Sequence, residues 1–386
     1  MPVHETISVI PPILRQHAEG AAFLWSQRVR MFHDPAFGEV ELGRLDRRLG
    51  AHIDGLLASG IAALGEAAAR FEDFPEPGEM FAWFLVALLG GGPEDIAAAL
   101  EKVADHPDCR SGLSGAIAWA GAGAVRPHVK PWFTSTDPLL RLLAMTACSH
   151  HRADPGDWLD RCLADEDPQV RDRALRLLGE IGRVDRLGMA VEALEGPRGP
   201  GQFAAARSAL LLGRSGPALP VLRRLAAETG RVADAALELA VLGGQGAEAR
   251  GWLGDLMRRP ERAGAALMAA GAIRDPGVLD WLIGMCADPA HAAGAGRAIR
   301  ARLDFDLDDT DAFEADPAKL APGFAGRDDG PWPVAERVRD AIKTLAGKGR
   351  FTSLIALRRD CLVAAIAAPG RTLADWRHRR SYPAWS

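Results

Sequence analysis

Asp167-Pro168-Gln169-Val170-Arg171-Asp172-Arg173-Ala174-Leu175-Arg176-Leu177-Leu178-Gly179-Glu180-Ile181-Gly182 reads as one complete amphipathic helix with its own start and stop signals. Its opening Asp-Pro supplies a carboxylate to cap a helix N-terminus and a proline at the first helical position, where a missing N–H does no harm. Val170, Ala174, Leu175, Leu177 and Leu178 then recur at helical spacing as a stripe to be buried, which leaves Arg173 and Arg176 to solvent. The closing Leu-Gly-x-x-Gly lets the chain enter the left-handed conformation that ends a helix.

The same grammar extends in both directions. Asp154-Pro155-Gly156-Asp157-Trp158-Leu159 and Asp275-Pro276-Gly277-Val278-Leu279-Asp280-Trp281-Leu282 each open a short apolar helix. Each helix passes a cysteine, Cys162 or Cys286, and reaches a second Asp-Pro 13 residues after the first, at Asp167-Pro168 or Asp288-Pro289. The two copies lie 121 residues apart, close to four periods of about 30, the range of stacked helical pairs. Leu-Gly-x-x-Gly recurs with its first glycine at 179, 213 and 243, and first helices of successive pairs are expected near Pro93, Ala124, Asp154, Asp185, Pro217, Ala247 and Asp275. This predicts an all-α chain, an α-solenoid of about seven helix pairs in a right-handed-type superhelix.

Composition agrees. Of 386 residues, 48% are hydrophobic and 25% charged, the balance of a folded chain, while 6% aromatics and a single tyrosine, Tyr382, argue against a β-sandwich or barrel. Lys and Arg number 46 against 51 Asp and Glu, a net charge of -5, so no global basic field holds nucleic acid or anionic lipid. Five scattered cysteines without a CxxC pair suggest neither a disulfide framework nor a zinc site. The absence of a signal-like N-terminus and of a long apolar run leads us to expect a cytoplasmic chain with no membrane span.

Three regions are expected. Residues 1–75 form a helical N-terminal cap, with helices over Pro12–Met31, Leu42–Ser59 and Ile61–Phe71; residues 76–300 hold the repeats; residues 301–386 diverge. That last region splits by charge, with 3 basic and 9 acidic residues in an acidic loop over 301–330, and 11 basic and 4 acidic in a basic helical end over 331–386. Opposed blocks of this kind suit mutual docking or a two-faced partner surface.

Residues 154–182, with Asp-Pro-x-Val-Arg leading to Ala-Leu-Arg-Leu-Leu-Gly-Glu-Ile-Gly, resemble a HEAT repeat of the short, bacterial, phycobilisome-lyase-like kind. The resemblance implies an Asp/Arg ladder between neighbouring repeats, for which Asp137/Arg141 and Asp167/Arg171 keep the i, i+4 pair. The N-terminal run from Ile13 to Trp25, with Leu45-Asp46-Arg47-Arg48-Leu49 and Ala51-His52-Ile53-Asp54-Gly55-Leu56, is similar to the opening of a family of bacterial HEAT-repeat proteins often encoded near type VI secretion genes. That family has no established activity to transfer. The likeness implies a protein partner, such as a secretion effector or spike component, for an adaptor, chaperone or immunity protein. His17, Glu19, Trp25, Asp46, His52 and Asp54 make up the family-like block.

Candidate chemistry is sparse. Gly90-Gly91-Gly92-Pro93-Glu94-Asp95 lacks the lysine of a phosphate loop and reads as a turn. Asp304, Asp306, Asp308, Asp309 and Asp311 mimic the start of a calcium loop, but Asp309 stands where the sharp turn needs glycine and Ala315 where a bidentate Glu belongs, so the stretch reads as an acidic surface. His150-His151 has no HExxH spacing and reads as a helix end. Trp158 and Trp281 hold corresponding positions and are expected to stack between repeats. Asp306, Asp308 and Asp309, with Arg377, Arg379, Arg380 and Trp385 of the tail, are the candidate partner-binding residues. No catalytic residue, cofactor or metal ligand is expected, and the leading function is a non-enzymatic scaffold that binds protein on its concave face and charged C-terminal region. The alternative is a nucleic-acid-binding protein or alkylated-base DNA glycosylase of HEAT-like fold, which requires arginines such as Arg141, Arg171, Arg207 and Arg224 to converge on one face. A chromophore-lyase-like activity rests on repeat similarity alone.

Overall fold

The structure is a computed structural model that describes residues 10–302, apart from 35, 36, 245, 274 and 289, together with Ile355, Arg359 and Leu362. Among these residues the chain is all-helical, with no strand. Asp306, Asp308, Asp309, Arg377, Arg379, Arg380 and Trp385 lie outside the described residues. The chain divides into two compact units whose described parts are residues 10–31 with 40–174, and residues 32–39 with 175–302 and the three C-terminal residues.

The first unit holds α1 (Pro11–Met31), α2 (Glu39–Ala58), α3 (Ile61–Asp73), α4 (Pro77–Gly90), α5 (Pro93–Asp105), α6 (Arg110–Trp119), α7 (Ala122–Phe133), α8 (Pro138–His151), α9 (Asp157–Leu163) and the start of α10 (Pro168–Ile181). Its centre is α4, apolar all round and buried from Met80 to Leu88, the signature of a helix enclosed by others. Helices α1, α3, α5 and α6 pack on it, and α6 packs in turn on α8. Glycines set these close approaches: a Cβ at Gly78 would meet Ala22 O of α1 at 2.5 Å, and one at Gly112 would meet the α4 backbone at Phe81 N at 2.8 Å.

The second unit holds α11 (Leu187–Glu192), α12 (Pro200–Leu211), α13 (Ser215–Ala226), α14 (Arg231–Gly243), α15 (Gly246–Met257), α16 (Pro260–Ala270), α17 (Pro276–Met285) and α18 (Ala292–Arg300). Each even-numbered helix from α12 to α18 packs on the helix before it, and α12, α14, α16 and α18 pack successively on one another. Helices α5, α7, α9, α11, α13, α15 and α17 begin within three residues of the seven starts expected from the sequence.

Local chemistry repeats as well. Asp137, Asp167 and Asp275 accept hydrogen bonds from the N–H two residues on, at 2.9, 2.8 and 2.8 Å, as N-cap carboxylates should. Helices α8, α10 and α12 end in one geometry: the residue after the left-handed position donates five residues back, from Ala153 to Cys148 O, Arg183 to Leu178 O and Arg214 to Ala209 O. The left-handed residues are Arg152 (φ 54°), Gly182 (φ 74°) and Gly213 (φ 89°).

Some sequence expectations are corrected. Gly179 does not end its helix; it lies inside α10, where the buried Ser208 hydroxyl of α12 accepts its N–H at 3.2 Å and donates to Leu175 O at 2.6 Å. Gly243 is the last residue of α14 and gives room to Leu210, whose Cδ1 would lie 2.8 Å from a Cβ there. Arg173 and Arg176 do not face solvent freely: Arg173 reaches Met145 O at 3.5 Å, and Arg176 lies 3.2 Å from the buried Glu180. Within the expected stripe Val170, Ala174, Leu177 and Leu178 are wholly buried, and Leu175 is half-buried.

The expected Asp137/Arg141 pair is replaced by one that joins α8 to the loop before α10. Arg141 does not pair with Asp137; it makes a two-pronged contact with Asp165, at 2.7 and 2.9 Å, in the loop before α10. Burial works against ionisation of Asp165, but the Arg141 hydrogen bonds and the Asp167 N–H outweigh it and hold the carboxyl below its usual pKa. Arg141 also grips Ser135 O at 2.8 Å, six residues back, and Arg171 grips Asp165 O at 2.6 Å by the same reach.

Candidate functional site

Helix α1 turns Leu14, Ala18, Ala21, Ala22 and Trp25 into the core, a stripe at i, i+4, i+7, i+8 and i+11. Trp25 stacks on Phe81 of α4 with centroids 5.0 Å apart and planes at 12°. Its ring also lies against Gly115 of α6, where a Cβ would meet Trp25 Cζ2 at 2.5 Å. Trp25 therefore secures α1 on α4 and α6, and its indole serves packing.

His17 and His52 meet in a crossed arrangement. The sequence His-x-acid-Gly occurs twice, as His17-Ala18-Glu19-Gly20 in α1 and His52-Ile53-Asp54-Gly55 in α2. The His17 ring covers Gly55, where a Cβ would come within 2.6 Å of Nε2, and the His52 ring covers Gly20, where a Cβ would lie 2.5 Å from Nδ1. Between them the two Nδ1 atoms are 3.3 Å apart, so one donates its proton to the other. Burial first, then His17 and Arg48, lower the His52 pKa below the ordinary imidazole value. This favours the neutral ring that such a shared proton requires.

The remaining residues of the block pair off. Arg28, 3% exposed, directs Nε to Asp46 Oδ1 at 2.6 Å and Nη2 to Oδ2 at 3.4 Å, a planar fork from α1 to α2. Its guanidinium also lies 5.6 Å from the Trp119 ring. Glu19 pairs with Arg70 at 3.3 Å, and Arg70 pairs with Glu79 at 3.6 Å and covers the Phe74 ring at 4.0 Å. Asp54 is exposed. The structure thus joins His17 to His52 and Asp46 to Arg28 within a junction of α1 and α2, and leaves Asp54 apart.

Other candidates take structural places. The Gly92 N–H that a phosphate would need is bound by the Asp95 carboxylate at 2.7 Å, an intrahelical cap. His151 donates Nε2–H to Ile117 O at 3.0 Å, and His150 lies 3.4 Å from the Ser114 hydroxyl. Trp158 stacks on Phe133 of α7 with centroids 5.7 Å apart. Among the described residues no group of three or more His, Cys, Asp and Glu side chains could hold a metal ion, and no helix is long and apolar enough to cross a membrane.

Sequence reasoning missed a set of ion pairs in the second unit, each built on a buried arginine. Arg207, 2% exposed, lies 3.5 Å from the wholly buried Glu180; Arg262 of α16 lies 2.6 Å from Asp234 of α14; and Arg359 lies 3.1 Å from Glu238 of α14. The signal was present as a lone charge inside an apolar run, as in Ala204-Ala205-Ala206-Arg207-Ser208-Ala209 and Ala236-Leu237-Glu238-Leu239. Such a residue is buried with a partner or turned to solvent, and spacing alone does not say which. No protein-family model and no curated protein matches the chain.

Proposed function

We propose that the chain is a non-enzymatic protein-binding scaffold of HEAT-like helix pairs stacked as a solenoid, with a secretion-associated adaptor, chaperone or immunity role as its specific form. The observation that carries this reading is the succession α12, α14, α16, α18, in which each helix packs on the next and on its own preceding partner. Helices repeated in that manner bury a continuous core and present an extended row of equivalent faces. Three of the four arginines on which the nucleic-acid reading depends are engaged internally, which favours protein binding over that reading. Arg141 and Arg171 hold loop carbonyls and Asp165, and Arg207 is enclosed with Glu180, so these three lend little to a phosphate-binding face.

A pull-down of the tagged full chain from its native cells, at low and high salt with mass spectrometry, tests the proposal. A stoichiometric protein partner retained at high salt is the expected result. Recovery of nucleic acid alone, lost at high salt, would overturn it in favour of the nucleic-acid reading.

A further inference from the structure

Trp25 and Arg28 owe their places in α1 to packing and to an ion pair, but the crossed histidines have a geometry of their own. His17 and His52, half-buried in the first unit, bring their Nδ1 atoms to 3.3 Å with ring centroids 5.3 Å apart and ring planes at 70°. A straight N–H···N contact at that nitrogen separation would hold the centroids about 5.6 Å apart, since each centroid lies about 1.15 Å behind its nitrogen. The shorter centroid distance shows that the ring axes are inclined to the line between the nitrogens. Two imidazoles aimed at one tetrahedral ion, with bonds of about 2.05 Å, stand about 3.3 Å apart at nitrogen and about 5.2 Å apart at the centroids. Neighbouring positions on a square-planar ion would draw the nitrogens in to about 2.9 Å. Both observed separations match the tetrahedral case.

The rings are also held in advance. Each imidazole grows from one helix and lies over a glycine of the other, Gly55 for His17 and Gly20 for His52, so no facing side chain pushes either ring aside. Fixing both ligands before an ion arrives removes part of the ordering cost of binding it. We propose that His17 and His52 form a two-imidazole site for a zinc ion, bound through both Nδ1 atoms, with water in the remaining positions. The proton that the two Nδ1 atoms share moves through solvent to Nε2 of the ring that donated it, so both rings stay neutral and none is lost. Two protein ligands, against the four of a closed structural site, make the ion exchangeable. The exposed Arg48, whose charge acts on His52, opposes a cation and works in the same direction. Bound there, zinc ties α1 to α2 across 35 residues of chain. The site goes beyond the protein-binding reading and does not depend on it.

Calorimetric titration of the full chain with zinc chloride, after EDTA treatment and dialysis, tests the proposal. The wild-type chain should bind zinc at a site that His17→Gln and His52→Gln each weaken by about tenfold or more, since one imidazole is then left. His128→Gln, a half-buried histidine of α7 outside the pair, should leave that binding unchanged. Gly55→Ala keeps both imidazoles but would set a Cβ 2.6 Å from His17 Nε2, and should weaken zinc as the ring is displaced. Cobalt(II) in place of zinc should give the strong visible absorption of a tetrahedral site, lost in His52→Gln. No zinc bound by the wild-type chain, binding that survives both histidine substitutions, or a weak octahedral cobalt spectrum would overturn the proposal. If the glutamine variants do not fold, the wild-type chain decides by modification with diethyl pyrocarbonate, mapped by mass spectrometry. Zinc should slow labelling of His17 and His52 by about tenfold or more and leave His128 unaffected, and equal labelling of the pair with and without zinc would overturn the assignment.

Discussion

Gly179→Ala and Gly65→Ala should change stability in opposite directions, although both place the same methyl group inside a helix. In an exposed helix interior, alanine is better than glycine by about 1 kcal/mol because it reduces the freedom lost on folding. At Gly65 in α3 a Cβ meets nothing within 4 Å, so that gain should appear nearly whole. At Gly179 the Cβ would lie 2.7 Å from Ser208 Oγ and 2.8 Å from Ser208 Cα, and a backbone atom cannot rotate away. Relief requires α10 and α12 to separate, which by overpacking costs about 1–3 kcal/mol. Separation also strains the Ser208 hydroxyl bridge between Gly179 N–H and Leu175 O, two buried hydrogen bonds contributing about 1 kcal/mol each. Against the helix gain, the net loss is about 2–4 kcal/mol. Urea unfolding followed by circular dichroism, with hydrogen exchange mapped over α10 and α12, reads both variants. Ser208→Ala should recover only part of the loss, because the clash with the backbone of residue 208 persists when the hydroxyl is gone. A Gly179→Ala protein as stable as wild type, or more so, would refute the close approach of the two helices.

Asp46→Ala leaves the buried Arg28 without its fork and should destabilise the first unit by on the order of 2–3 kcal/mol, less than a fully buried pair because Asp46 keeps 25% of its side chain exposed; an unchanged urea midpoint would show that the pair is dispensable. Burial lowers the pKa values of His52, His128 and His151. The unfolded chain therefore takes up these protons first, and stability present above about pH 6.5 falls as pH drops toward the lower folded values. His151→Gln, which keeps a donor for Ile117 O, should flatten the dependence of the urea midpoint between pH 7.5 and 5.5, and an unaltered slope would count against it. Burial pushes the thiol pKa of Cys148 and Cys286 up to about 12 and that of Cys162 up to about 11. Iodoacetamide at pH 8 should leave all three unlabelled until urea unfolds the chain, and native labelling mapped to any of them would contradict the buried assignment.

Helix starts were legible in the sequence because they depend on residues within one turn. Asp137, Asp167 and Asp275 cap helices as Asp-Pro predicts, since the carboxylate and the N–H it accepts are two residues apart. Partners across helices were not legible. Spacing of i, i+4 matches Arg141 to Asp137, but the guanidinium binds Asp165, 24 residues on in the loop before α10. The twin glycines of Leu-Gly-x-x-Gly look alike in sequence, yet Gly182 supplies a positive φ and Gly179 an absence of side chain facing Ser208. Only the position of α12 separates those two needs. At the candidate site His17, His52, Trp25 and Asp46 all stand out in the sequence, but that each histidine lies over the other helix's glycine depends on how α1 crosses α2.

Those contacts between α1 and α2 should leave a trace in any set of related sequences. Residue 17 is coupled to residue 55, and residue 52 to residue 20, since each imidazole fills the space where the facing residue would carry its Cβ. A lineage that replaces His17 with a small residue frees position 55 to acquire a side chain, while positions 20 and 52 remain bound to each other. Substitutions at the four sites should accordingly arise as two compensating couples, each exchanging bulk between helices at constant total volume. The helix junction would then persist through changes that erase both histidines, and a comparison relying on histidine identity alone would lose the kinship that paired exchange preserves.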